Sequence, residues 1–194
     1  MVNRFNVHSA HKLSYQFAPG RCILCQSPSL RDLDLCLDCE NELPWLSSRC
    51  ARCALPLPQN HYQTHCGQCL RKPPAFSHCI TALRYDFPVD RLIAGFKHKK
   101  KLNYGAVLAA LWLSRCQTQL DTLPDQLIPV PMHWRRRILR GFNQSLLLAK
   151  DFSNTLGIPV NHAINHPRAS HSQQGLSAAA RRKNLQQAFA FVKG

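Results

Sequence analysis

The sequence predicts an α/β chain headed by a compact cysteine-rich module that binds zinc. Three observations carry that expectation. Four Cys-x-x-Cys pairs crowd into residues 22–69. Beyond them, short apolar runs alternate with segments of helical period, the pattern of an α/β domain around a mostly parallel sheet. The positive charge is also strongly uneven. Residues 1–90 hold 9 Lys/Arg against 7 Asp/Glu, whereas residues 91–194 hold 16 against 3 (Asp121, Asp125 and Asp151).

The N-terminal 1–20 read as a tail ending at Pro19-Gly20, and the cysteine module is assigned to 21–72. Arg71-Lys-Pro-Pro74 marks its boundary, because consecutive prolines stop regular structure. The second domain is expected over 76–194. Ile80–Tyr85 has strand character. Val89–Lys99 and Asn103–Leu120 have helical spacing, the latter with Val107, Leu108, Leu111, Trp112 and Cys116 on one face. Leu127–Val130 reads as a buried strand, followed by a loop holding Arg135, Arg136, Arg137 and Arg140. Asn143–Leu156 is expected to be helical, with Asn143 as N-cap and Gly157 as its stop. Ile158–Val160 reads as a further strand, Ser177–Gln187 as helix, and Ala188–Val192 begins another apolar run.

The cysteines are Cys22/Cys25, Cys36/Cys39, Cys50/Cys53 and Cys66/Cys69. Two intervening residues let both sulfurs face one metal, and two such knuckles complete a tetrahedral Cys₄ shell. Eight thiolates therefore suit two structural Zn²⁺. With only short loops between pairs, metal must supply much of the module's folding energy. Sequential pairing (22/25 with 36/39, 50/53 with 66/69) closes shorter loops than interleaved pairing and is favoured; both remain open. Thioredoxin-like redox pairs and Fe–S ligation suit four equivalent pairs less well. His61, His65 and His78 lie close by, but eight cysteines already fill two shells. Cys79 and Cys116 fall outside the spacing and are expected to be buried apolar thiols.

A formal charge of +15 at 45% hydrophobic content describes a folded chain that attracts phosphates. The longest nearly apolar run, Gly105–Leu113, is shorter than the ~20 residues a bilayer span requires. The N-terminus has no apolar stretch with a small-residue cleavage site. A cytoplasmic location without membrane insertion is expected, where cysteines serve metal rather than disulfides.

Two basic stretches complete the reading: IPVPMHWRRRILRGFNQ, with Arg137, Arg140, Gly141, Asn143 and Gln144, and PRASHSQQGLSAAARRKNLQQAF, with Arg168, Gln173, Arg181, Arg182 and Asn184. Arginines beside a helix N-terminus make a plausible anion site. With the Cys₈ module, these stretches resemble the ComF family over roughly residues 21–192. That resemblance implies a double zinc ribbon followed by a type I phosphoribosyltransferase-like domain. It implies a role in natural competence and DNA uptake, with single-stranded DNA and competence proteins as partners.

By the same resemblance, Arg137–Gln144 would hold pyrophosphate and Arg168–Asn184 would form a mobile loop. Mg²⁺ and phosphoribosyl pyrophosphate would be cofactor and substrate in a complete family member. This chain departs from the family in two places. It has Arg168-Ala-Ser170-His-Ser-Gln173 where the family commonly reads Arg-x-Thr-x-x-Gln. It also has no Asp-Asp strand with a Thr-Thr-Gly loop, stopping at Phe191-Val-Lys-Gly194. The parallel sheet is accordingly expected to be incomplete, with an exposed edge and apolar surface, and the chain is expected to be inactive in transfer by itself.

The alternative function is a non-enzymatic zinc-ribbon protein that grips single-stranded nucleic acid by its phosphates, with Trp45, Tyr62, Phe76 and Trp134 as stacking surfaces. A redox-responsive zinc switch is the weakest reading.

Overall fold

The computed structural model describes residues 20–59, 64–169, 173 and 175–192. The expected tail (apart from Gly20), His61, Tyr62 and Ser170 lie outside them. Two compact units emerge. Among the described residues, one lies within 20–95 and 110–119, the other within 96–109 and 120–192.

The first unit contains two similar halves. Cys22–Cys25 sits in a small hairpin closed by an antiparallel Arg21–Pro28 bridge, and Cys50–Cys53 in one closed by Arg49–Pro56. In each, the first cysteine's N–H donates to the far strand: Cys22 to Ser27 at 2.8 Å, Cys50 to Leu55 at 2.9 Å. The residue after each second cysteine, Gln26 (φ 67°) or Ala54 (φ 57°), turns through the left-handed region. Each hairpin is followed by a five-residue helix that begins directly after a cysteine: α1 (Leu37–Asn41) behind Cys36 and α2 (Gly67–Arg71) behind Cys66. A structural repeat thus underlies the cysteine spacing, 28 residues apart for the hairpins and 30 for the helices. Neither helix has an apolar period long enough to announce it.

The expected strand at Ile80–Tyr85 forms a single antiparallel bridge, Leu83 with Trp45, flanked by Leu46 N–H to Ala82 O and Arg84 N–H to Pro44 O, both 2.9 Å. The Trp112 indole N–H donates to Ile80 O at 3.2 Å, and the Arg115 guanidinium stands 4.6 Å over the Trp45 ring. Leu35, Leu92, Leu111 and Cys116 are fully buried. Cys79, in contrast to its expected burial, is exposed.

Helices α3 (Val89–His98) and α4 (Leu102–Cys116) match the predicted spans to within a few residues. In the second unit Phe96 and Val107 are buried, and the Phe96 and Phe142 rings lie 5.7 Å apart. The arginine stretch read as a loop is instead helix α5 (Trp134–Arg140). Its ends are specified by capping: His133 Nδ1 accepts from Arg135 N–H at 3.3 Å, and Gly141 closes the helix at φ 87°. Helix α6 (Gln144–Leu156) has the predicted caps. Asn143 accepts from Ser145 N–H at 3.0 Å and Gly157 is left-handed at φ 74°.

The apolar runs at 127–130 and 158–160 meet in one parallel bridge, Leu127 with Val160. Leu127 N–H donates to Pro159 O and Asn161 N–H to Leu127 O, both at 2.8 Å. Pro129, Pro131 and Pro159 have no N–H to extend the ladder. The two-stranded sheet is antiparallel: β1 (Ile164–Asn165) with β2 (Ala190–Phe191), in register Ile164–Phe191. Between them lies α7 (Ala178–Leu185), capped by Ser177, whose Oγ accepts from Ala180 N–H. Apolar side chains lie open along this unit, among them Val130 (60% exposed), Ile138 (71%) and Phe191 (79%).

Candidate metal centres and anion site

The eight cysteines gather into two groups, Cys22/Cys25/Cys36/Cys39 and Cys50/Cys53/Cys66/Cys69, each with its Sγ atoms within 4.8 Å of one another. The pairs combine sequentially. Four sulfurs at the Zn–S length of about 2.3 Å define a tetrahedron with edges of roughly 3.8 Å, and the Cys25–Cys36 and Cys53–Cys66 Sγ separations are both 3.7 Å. Backbone N–H groups also face the sulfurs, Cys66 N–H donating to Cys50 Sγ at 3.3 Å and Cys69 N–H to Cys66 Sγ at 3.5 Å. His65 bonds Thr64 and His78 bonds Ser77, and neither joins a group.

The thiols within a group differ sharply. A backbone hydrogen bond from Ser27 lowers Cys25 to about 6, and one from Cys53 lowers Cys50 to about 6. Desolvation, then the neighbouring sulfurs, raises Cys39 and pushes Cys69 up to about 12. One early thiolate makes the next costly unless a cation arrives, the electrostatics of a site built for a metal dication. The donor set fits Zn²⁺, which Cys₄ shells hold as a closed structural ion. The groups also differ in access. Cys25 is exposed with Cys36 and Cys39 half-buried, whereas Cys50, Cys66 and Cys69 are buried.

In the second unit, Arg140, Gly141, Asn143 and Gln144 lie at the α5–α6 corner. Arg140 Nη1 donates to Gln144 Oε1 at 3.1 Å, and Gln144 Nε2 donates to Lys97 O at 3.2 Å. Both ends of the Gln144 amide are thereby committed, so it aims the guanidinium. Asn143 Nδ2 donates to Val130 O at 3.1 Å. Burial, then Arg136, lowers the proton affinity of Arg140. Arg137 is exposed and lines a cleft of about 830 Å³ with Met132, Phe142, His162 and His166.

None of Arg168, Gln173, Arg181, Arg182 and Asn184 lines that cleft. Arg168 Nη1 donates to Gln187 Oε1 at 2.8 Å, and Arg181, Arg182 and Asn184 lie on α7. Of the proposed stacking residues, Phe76 and Trp134 are exposed at 50% and 56%, while Trp45 is half-buried beneath Arg115. The basic run Lys97–Lys101 was visible in the sequence, but its nearness to Arg140 was not. Burial, then Arg140 and Lys97, depresses the proton affinity of His98.

Comparison with known proteins agrees with the two cysteine groups. The family model described as "Double zinc ribbon domain" matches residues 14–70. The DNA utilization protein YhgH of Escherichia coli O157:H7 is 36% identical over 178 residues, covering 88% of this chain and 77% of that protein. The YhgH of Salmonella typhi is 35% identical over the same coverage. Competence protein F of Haemophilus influenzae is 32% identical over 178 residues, 89% of this chain and 76% of the relative. No solved structure matches the chain. No helix among the described residues is long and apolar enough to cross a membrane. With two Cys₄ groups in a double zinc ribbon and this similarity along most of its length, the chain belongs to the ComF family.

Proposed function

We propose that this chain handles single-stranded DNA in the cytoplasm during competence or DNA utilization, with its zinc module as a rigid scaffold and its second unit as the phosphate-gripping part. The observation that carries this reading is similarity over 88% of the chain to proteins named for DNA utilization. The charge distribution supports it, since residues 126–150 contain four arginines, one lysine and no acid, and a local excess of positive charge favours phosphate-rich ligands.

The second unit is read as a portion of a type I phosphoribosyltransferase-like domain. The parallel Leu127–Val160 pairing, with α6 between its partners, supports this. The Arg137–Gln144 corner is its phosphate site, and Arg168 with Arg181, Arg182 and Asn184 of α7 is read as a second group of polar contacts. Mg²⁺ prefers carboxylate oxygens, and this corner offers none from residues 126–150. The reading therefore assigns these residues binding rather than transfer.

Fluorescence anisotropy of labelled oligo-dT with the zinc-loaded chain, across a salt series, tests the proposal. Affinity should fall linearly on a log–log plot with salt. Absence of binding at low salt, or binding indifferent to salt, would overturn it.

A further inference from the structure

Helix α5 turns its apolar side outward. Trp134, Ile138 and Leu139 are exposed, Leu139 at 81%, while Arg136 and Arg140 on the opposite side are half-buried. A helix that packs by its own apolar stripe does the reverse. The Arg135 guanidinium stands 5.3 Å over the Trp134 ring, and Arg137 is exposed. This face therefore joins apolar area to positive charge, and residues 126–150 bring no acid to it. A surface that covers it must be apolar at its centre and negative at its rim.

The same chain carries a surface of that kind on its first cysteine hairpin and α1. Leu30 and Leu37 are exposed, Leu37 at 63%, and so are Asp32, Asp38 and Glu42. The internal repeat supplies a control. Thirty residues on, α2 and its C-cap carry Gly67, Gln68 and Lys72 where α1 and its C-cap carry Leu37, Asp38 and Glu42. Both halves gather four sulfurs, so metal binding requires neither the leucine nor the acids. The helix dipole accounts for Asp38 in the first turn of α1 but opposes Glu42 at its C-terminal end. Residues 21–43 hold five acids against two arginines, whereas residues 49–72 hold four Lys/Arg and no acid.

We propose that the outward face of α5 on one copy of this chain receives the first ribbon of a second copy, apolar side chains against apolar side chains and acids against arginines. The two faces differ, so the contact is heterologous and repeats head to tail, into a ring or an open row. The formal charge of +15 opposes association at long range. A Debye length of about 8 Å at physiological salt confines that repulsion and leaves the pairs in contact.

Sedimentation velocity of the full zinc-loaded chain over a concentration series tests this. Two variants each spoil one face: Leu37→Gly with Asp38→Gln, which imports the residues of the second half, and Ile138→Gln with Leu139→Gln. Zinc content and circular dichroism confirm folding. The unaltered chain should associate as concentration rises, and less so at high salt. Each variant alone should associate at least about tenfold more weakly. Mixed in equal amounts, the two should form a pair and nothing larger, because each keeps the face the other lacks. Leu37→Gly by itself changes no charge and should also weaken association; indifference there would reduce the contact to unspecific attraction and overturn the proposal. An unaltered chain that stays monomeric, or a mixture that yields no pair, overturns it as well. In a chain that does not self-associate, loss of oligo-dT or of phosphatidylglycerol vesicles from the α5 variant would assign the face to nucleic acid or to a lipid surface instead.

Discussion

The Sγ atoms of Cys25 and Cys36 stand 3.7 Å apart although the two residues are eleven positions apart in the chain. That separation is an edge of the tetrahedron a zinc ion imposes, and it places the second pair opposite the first. Two such arrangements predict two zincs per chain by plasma emission spectrometry. Cys36→Ser should reduce the count to one and leave the second group intact. Retention of two, or iron in place of zinc, would contradict the assignment.

The two centres should also part with metal at different rates. Cys25 is exposed, while three of the four ligands of the second group are buried. A chromogenic chelator should therefore draw out zinc in two phases, the faster from Cys22/Cys25/Cys36/Cys39. Cys50→Ser should abolish the slow phase and leave the fast one. A single phase accounting for both ions would refute the ordering.

Gly105 offers a test of packing within α4. Alanine normally stabilises a helix interior by about 1 kcal/mol over glycine. Here a Cβ would come within 2.5 Å of the Phe96 ring, and overpacking costs about 1–3 kcal/mol. The clash should win, so Gly105→Ala is expected to destabilise the chain in urea unfolding. Adding Phe96→Leu should restore part of the propensity gain. Net stabilisation by Gly105→Ala alone would show that the ring moves aside freely.

His98 should titrate below 6.5, because burial, then Arg140 and Lys97, oppose its protonation. A folded-state value below the unfolded one makes its contribution to stability complete above about pH 6.5. That contribution is lost as pH falls through the folded value. A proton NMR titration should show the depressed value, and Arg140→Gln should move it part of the way back, with burial still acting. No change in Arg140→Gln would separate His98 from the arginine.

The zinc ligands and α6 were legible because their signals are local: fixed cysteine spacing, an Asn143 cap and a Gly157 stop. Helix α5 was hidden because a run of arginines has no apolar period, and its ends depend on His133 and Gly141. Apolar content predicts strands at 80–85 and 127–130, but pairing there reduces to isolated bridges. At 127–130 the prolines of both partners remove ladder donors. The approach of Lys100 to Gly141 joins segments about forty residues apart. Only the tertiary fold determines that approach.

The sequential closure of the two Cys₄ groups also bears on how the chain is made. The first set of ligands is complete at Cys39, before any residue of the second has been synthesised. At ordinary translation rates of about 5–20 residues per second, the remaining thirty residues to Cys69 take on the order of seconds. An interleaved arrangement would have left Cys22 and Cys25 waiting for Cys50. Instead each ribbon can load its ion in turn as the nascent chain emerges, and no thiol pair needs a partner from the other half.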